Sequence, residues 1–339
     1  MKTEPASPLA CTRRNFVGLL AMTGAALPLL STGARAQSGA SKPTPPTPPS
    51  PATRTASPVV IHVFAKPLQW LSYEGTARLV AEAGFGGIDY AVRPAGHVLP
   101  EKVAEDLPRA IEAAHKAGVK VEMITTAVVS ARDKHTEPLL RTAAKHGVKI
   151  YRFGNFSYDE KLGVMPSLQK LKPVVKELAA LNQSLGLHGA FQNHAGTRVG
   201  SALWDLHELV RDVDPRWVGV QYDIRHATAE GGESWPLPLR LLAPWIRCTD
   251  IKDFKWEQAP GRATIENVPV GEGVVNFDRY FKLVHELAIT GPISVHFEYP
   301  PFERSPQPLT EAQKRTLFLA AMKKDLAVLK GHLAKHQLG

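Results

Sequence analysis

The chain has 339 residues, 44% hydrophobic and 22% charged, which is ordinary globular composition and long enough for one large domain. Its formal net charge is +9, of which residues 1–36 contribute +3, and the other Lys and Arg are scattered over helix faces rather than gathered in one basic stripe. That distribution is unlike a nucleic-acid binder's, so no nucleic-acid partner is expected. With only Cys11 and Cys248, a disulfide framework and Cys-x-x-Cys zinc sites are both excluded, and Cys248 is expected to be an inert buried thiol.

At the start, Thr12-Arg13-Arg14-Asn15-Phe16-Val17 leads into an apolar run over 17–30, and Ala34-Arg35-Ala36 follows. A charged segment, an apolar segment and a small-x-small site in that order predict a signal peptide over residues 1–36. The apolar run is shorter than the about 20 residues a membrane span needs. The paired arginines before Phe16 resemble a twin-arginine signal, which implies export of the folded protein to the periplasm with no stable membrane insertion after cleavage. An ordinary Sec signal with two chance arginines is the alternative. Residues 37–57, rich in Pro, Ser and Thr, read as a disordered linker.

Over 58–339 short β-branched runs alternate with longer amphipathic stretches. Strands are predicted at 59–64, 87–91, 120–125, 149–153, 187–192, 218–223, 246–252 and 293–298. Helices are predicted at 72–83, 100–117, 136–146, 166–185, 201–212, 235–243, 277–288 and 310–335. Gly84, Gly118, Gly147 and Gly186 sit where left-handed helix ends would precede the next strand. Eight strand–helix units predict a (β/α)8 TIM barrel. The rival, a doubly wound sheet, wants a glycine-rich phosphate turn after the first strand, and Ala65-Lys66-Pro67-Leu68 is not one.

The carboxyl ends of barrel strands converge on one site, so the residues there matter most. In chain order they are Lys66; Asp89, Arg93 and His97; Thr125 and Thr126; Arg152 and Asn155; Gln192, Asn193 and His194; Asp223, Arg225 and His226; Asp250, Lys252 and Asp253; and His296 and Glu298. Asp223, Asp250 and Glu298 are the sharpest subset. Three converging carboxylates repel one another unless a cation neutralises them. Oxygen-rich ligation predicts one divalent ion, Mn²⁺ first, with Mg²⁺, Co²⁺, Zn²⁺ or Fe²⁺ as alternatives.

These motifs resemble the xylose isomerase-like barrel superfamily, the sugar (phosphate) isomerases and epimerases. The family pattern has an acid or His on the fifth strand, Asp on the sixth, a His-x-Lys-Asp run on the seventh and Glu on the eighth. It is matched here by Gln192 in Gln-Asn-His, Asp223 with His226 three residues on, Asp250 in Asp-Ile-Lys-Asp, and Glu298. The resemblance implies Gln192, Asp223, Asp250 and Glu298 as metal ligands, with two departures, Gln192 for an acid and Asp250 for a His. Gln192 cannot take a proton, which disfavours a two-base epimerase. Glu298 is then the expected base, with His194 and His226 as acids or bases near neutral pH and Lys252 beside the developing negative charge.

Arg152 is expected to help hold that charge, and Lys66, Arg93 and His97 to orient hydroxyls of a small carbohydrate substrate. Export argues for a non-phosphorylated sugar. A lyase acting on keto-glycosides is an alternative chemistry, and a non-catalytic sugar-binding barrel is an alternative function. A metal-dependent DNA-repair nuclease of the same superfamily would need further His and acidic ligands and a basic groove. The long connection 253–275 carries Trp256 and Gly271-Glu272-Gly273 and is read as a lid, with Trp256 placed to stack on a sugar ring, or as a surface excursion. The oligomeric state is left open.

Overall fold

The computed structural model describes residues 59–303 and 307–339. The signal peptide expected over 1–36 and the linker over 37–57 lie outside the described residues. Eight parallel strands close into a barrel: β1 (Ile61–Phe64), β2 (Gly87–Val92), β3 (Met123–Thr126), β4 (Ile150–Arg152), β5 (His188–Gln192), β6 (Val218–Asp223), β7 (Ile246–Ile251) and β10 (Ile293–Val295). β10 pairs with both β7 and β1, which completes the ring and leaves no open edge. Each strand overlaps its predicted range.

The outer helices are α1 (Tyr73–Ala83), α2 (Val103–Lys116), α3 (Thr136–Lys145), α4 (Val164–Leu185), α5 (Trp204–Val210), α7 (Pro236–Leu242), α8 (Phe277–Glu286) and α9 (Glu311–Lys335). Local chemistry sets their ends. Ser72 caps α1 by accepting from the Gly75 N–H, and Gly84 closes it with φ of 85°, a conformation costly for any residue with a Cβ. Thr310 and Gln313 make a reciprocal capping box at the start of α9. Two apolar layers result. Outward-facing strand residues such as Val63, Ile88, Tyr90 and Ile124 pack with the helices in the main core. Met123, Ile150, Ala190 and Cys248 form a small separate cluster of buried residues, one from each of four strands. No described helix is long and apolar enough to cross a membrane.

Two features depart from the sequence reading. First, a short helix, α6 (Ile224–Gly231), follows β6 at once, because Asp223 is its N-cap and accepts from the His226 N–H at 3.0 Å. Second, most of the connection predicted as a lid or excursion is an antiparallel hairpin, β8 (Asp253–Ala259) and β9 (Arg262–Val268). Its root is fixed by Asp253. One oxygen of that carboxylate accepts from the Phe254 and Val275 N–H groups, and the other from those of Gly271 and Gly273.

Candidate active site at the barrel mouth

Residues two apart on a strand share a face, and the barrel interior is lined that way. Gln221 and Asp223 rise in step on β6, Cys248, Asp250 and Lys252 on β7 and just beyond it, and Ser294, His296 and Glu298 on β10 and its extension. The hydrogen bonds follow this layering. Deeper in the barrel, the Asp89 carboxylate accepts from the Thr125 and Ser294 hydroxyls at 3.1 and 2.9 Å. Nearer the mouth, Asp250 receives the Gln221 amide at 2.6 Å on one oxygen and the Gln192 amide at 2.7 Å on the other. The Gln192 NH₂ also donates to Asp223 at 2.9 Å, while its carbonyl accepts from Arg152 at 2.6 Å. A guanidinium has no acceptor, so this contact fixes the amide orientation: the Gln192 N–H groups face the two aspartates.

Above this layer the Lys252 ammonium lies 3.2 Å from Asp223 Oδ2 and 3.2 Å from Glu298 Oε2. His296 lies 3.3 Å from Asp250 Oδ1 through Nε2 and 3.7 Å from Glu298 Oε1 through Nδ1. The Asp223 and Asp250 side chains are fully buried, whereas Glu298 keeps 20% of its side chain open. Burial alone would raise the Glu298 carboxyl, but Lys252 and His296 beside it hold it well below the usual carboxylate range. Burial would likewise discharge Lys252, yet Asp223 and Glu298 keep its ammonium more basic than usual. The His296 imidazole is pulled down by burial and pushed up more strongly by Asp250 and Glu298, reaching about 9. Burial lifts Asp89 to about 6.

The rim adds neutral imidazoles and arginines. The His194 and His226 rings lie against each other, tilted by 33° with centroids 3.9 Å apart, and burial lowers both below the ordinary histidine value. Asn193 clamps Asp223 by exchanging hydrogen bonds with its backbone N–H and C=O. The Arg93 and Arg152 guanidinium groups lie 5.5 and 5.8 Å from the centre of the Phe64 ring, which itself sits 4.6 Å from the His296 ring. Arg225 lies 5.1 Å from the Phe254 ring and donates to Asn267, which in turn donates to the Glu298 carbonyl. The hairpin root is therefore tied to the mouth.

Of the residues predicted from sequence, Gln192, Asp223, Asp250, Lys252, Glu298, His226 and Arg152 are brought together, with His194 packed against His226 at their edge. Lys66 lies at the rim in an ion pair with Glu303, its side chain 42% exposed. His97 is not brought to this group: its ring packs edge-on to the core Tyr90, with centroids 5.6 Å apart. Trp256 is exposed on the hairpin, edge-on to Phe254. His296 and Gln221 were given no role from sequence: His296, like Asp89, was named only among the strand-end residues, and Gln221, like Phe64, was not named. The signal that could have found the first two is spacing, since each stands two residues before an expected ligand.

Asp223, Asp250 and His296 each place a donor atom within 4.8 Å of the others, a candidate metal site. Two carboxylates and an imidazole suit a divalent ion, and Glu298 stands next to them. Gln192 offers N–H groups rather than an oxygen, so it serves this set through hydrogen bonds. The Lys252 ammonium lies against Asp223 and Glu298 and His296 is held protonated, so the set fits an ion when that ammonium withdraws and His296 gives up its proton.

A closed parallel barrel whose carboxyl-terminal mouth gathers acids, imidazoles and buried cations defines a (β/α)8-barrel protein with one ionic site. The chain belongs to the xylose isomerase-like TIM barrel family, whose sequence model matches residues 77–321. A comparison with curated proteins finds no significant match. Among solved structures, the chain is similar to a xylose isomerase domain protein from Planctomyces limnophilus, with 16% identity, TM-score 0.62, and 83% of this chain and 99% of that one covered. It is similar to a probable 3-DHS dehydratase from Bacillus anthracis, with 16% identity, TM-score 0.56, and coverage of 80% and 99%. A 3-keto-D-glucoside 4-epimerase from E. coli is also similar, with 13% identity, TM-score 0.52, and coverage of 74% and 94%.

Proposed function

We propose that this barrel is an enzyme that moves a proton at the carbon beside the carbonyl of a non-phosphorylated sugar or sugar derivative. The reaction is of isomerase or epimerase type and passes through an enediolate-like anion. The observation that carries this reading is the Glu298 carboxylate, held ionised, partly open to solvent, and 3.2 Å from a buried ammonium. Glu298 takes the proton from carbon and returns it to the neighbouring carbon, while the proton of the adjacent hydroxyl passes to the former carbonyl oxygen. Lys252 and Arg152 hold the negative charge that develops, with Arg93 beside them, in a site where low dielectric strengthens each contact. His194, neutral and at the open edge, hydrogen-bonds a substrate oxygen, and His226 packs behind it. Lys66 and Trp256 contact the outer hydroxyls and ring face.

A divalent ion held by Asp223, Asp250 and His296, with Glu298 adjacent and Mn²⁺ the first choice, would polarise the carbonyl oxygen as a Lewis acid. Export by the twin-arginine route to the periplasm is part of the proposal and favours a free sugar or glycoside over a phosphate ester.

One observation favours a second chemistry. Gln192 stands where the resemblance expects an acid, so the mouth has one accessible carboxylate base. A single base suits elimination from a keto-glycoside: Glu298 removes the proton beside the carbonyl, the carbon–carbon double bond forms, and the departing glycosidic oxygen takes that proton. The probable dehydratase and the 3-keto-D-glucoside epimerase noted above act on related chemistry by their names, which supports including both classes in a screen. In D₂O, the protein is expected to place deuterium beside the carbonyl of one member of a panel of ketoses, aldoses and keto-glycosides, with release of an alcohol marking elimination. Glu298→Gln is expected to lower turnover by about 10²–10⁴-fold. Full turnover in that variant would remove Glu298 from the mechanism.

A further inference from the structure

Away from the mouth, α9 ends with His332 and His336, four residues apart and therefore neighbours on one helix face. Asp278, in the first turn of α8, meets them. One ligand atom from each of the three lies within 4.8 Å of the others, and His336 Nε2 is 2.8 Å from Asp278 Oδ1. The His332 ring lies beside Phe277 and Phe281, with both centroids 5.9 Å away, and its Nδ1 is buried without a hydrogen-bond partner. A buried polar atom with no partner calls for an explanation, and a cation bound beside a second imidazole and a carboxylate supplies one. Among the described residues, the cation competing for Asp278 is Lys335, 2.5 Å from the same oxygen with a side chain 62% exposed. That long side chain reaches water by a change of rotamer.

We propose that Asp278, His332 and His336 form a second metal site, separate from the barrel mouth, which takes a borderline transition ion and cross-links α8 to α9. Two imidazoles and one carboxylate, with a remaining position for water, match Zn²⁺, Co²⁺, Ni²⁺ or Cu²⁺ better than the harder Mg²⁺ and Mn²⁺.

The test counts bound Zn²⁺ and Mn²⁺ by calorimetry on the full chain and on His332→Asn/His336→Asn. The variant is expected to bind one Zn²⁺ fewer with Mn²⁺ binding unchanged. Zn²⁺ at a hundred times its Kd is expected to raise the Tm of the unaltered protein by roughly 5 °C more than that of the variant. A second measurement needs no variant: Zn²⁺, but not Mg²⁺, should protect His336 from diethyl pyrocarbonate, mapped by mass spectrometry. Equal Zn²⁺ stoichiometry in both proteins, or equal His336 modification with and without Zn²⁺, would overturn the proposal.

Discussion

Replacing Lys252 by Met removes the ammonium that lies 3.2 Å from both Asp223 and Glu298 while keeping a side chain of similar length. At an effective dielectric near 20, each contact at that distance is worth about 5 kcal/mol of Coulomb attraction, much of it offset by taking the charges out of water. Breaking such a buried arrangement from one side costs about 3–5 kcal/mol, because the carboxylates stay behind uncompensated. Without an added ion, Lys252→Met is therefore expected to lose about that much unfolding free energy at pH 7. The same change removes the competitor that an incoming ion has to displace. If about 2 kcal/mol of the lost contact is transferred to the ion, Mn²⁺ binds about thirty-fold more tightly to the variant. Calorimetric titration with Mn²⁺ and urea unfolding with and without Mn²⁺ measure both effects. A variant as stable as its parent, with an unchanged Mn²⁺ Kd, would refute the view that the ammonium and the ion share one place.

Other consequences follow from single contacts. Asp325 on α9 is buried, accepts from the Tyr299 hydroxyl at 2.8 Å, and is pushed by burial up to about 6. A folded value above the unfolded one means stability fully present below about pH 4 and lost as pH rises through 6. Asp325→Asn should flatten that slope and gain roughly 2 kcal/mol at pH 8 in denaturant titrations; equal slopes in both proteins would contradict it. A Cβ at Gly273 would meet Asp253 Oδ1 at 2.2 Å and the Phe254 carbonyl at 2.3 Å. Gly273→Ala should therefore cost about 2–3 kcal/mol by loosening the hairpin root, read as a lower urea midpoint. Trp256→Ala should leave stability within about 0.5 kcal/mol, as for an exposed side chain. With a substrate in hand, it should raise KM about five-fold with kcat unchanged, the loss of about 1 kcal/mol of stacking. A fall in kcat alone would place Trp256 in the chemistry instead.

The barrel was legible because it rests on local signals. β-Branched strand runs, the helix-ending Gly84 and Gly186, and the polar residues that follow each strand all recur with a regular period. Asp223, Asp250, Lys252 and Glu298 stood out by the same logic, since their strands end there. Gln221 was passed over, and His296 named without a role, for a physical reason. Each lies one layer deeper, where sequence reads a buried strand and only the closed barrel shows two strands sharing an acid, as Gln221 and His296 share Asp250.

His97 shows the opposite error. It follows a strand, but the chain after β2 turns it towards Tyr90, outside the barrel wall. The orientation of Gln192 depends on Arg152 from the neighbouring strand β4, a pairing no spacing rule contains. The hairpin was missed because residues 253–275 were read as one connection, although Phe254 and Trp256 alternate with Lys255 and Glu257 and Pro260-Gly261 is a turn signal. α6 went unseen because Asp223 was read only as a ligand, although the same carboxylate caps the helix.

The ion content of the mouth is the property to measure first. His332→Asn/His336→Asn serves as the parent so that the α8–α9 site is silent, and elemental analysis follows reconstitution with Mn²⁺ and removal of excess. The expected result is one equivalent of Mn²⁺ per chain, lost when Asp223→Ala and Asp250→Ala are added to a protein that remains folded by circular dichroism. No retained ion in the parent, or an equivalent that survives loss of both aspartates, would contradict a divalent ion at this mouth.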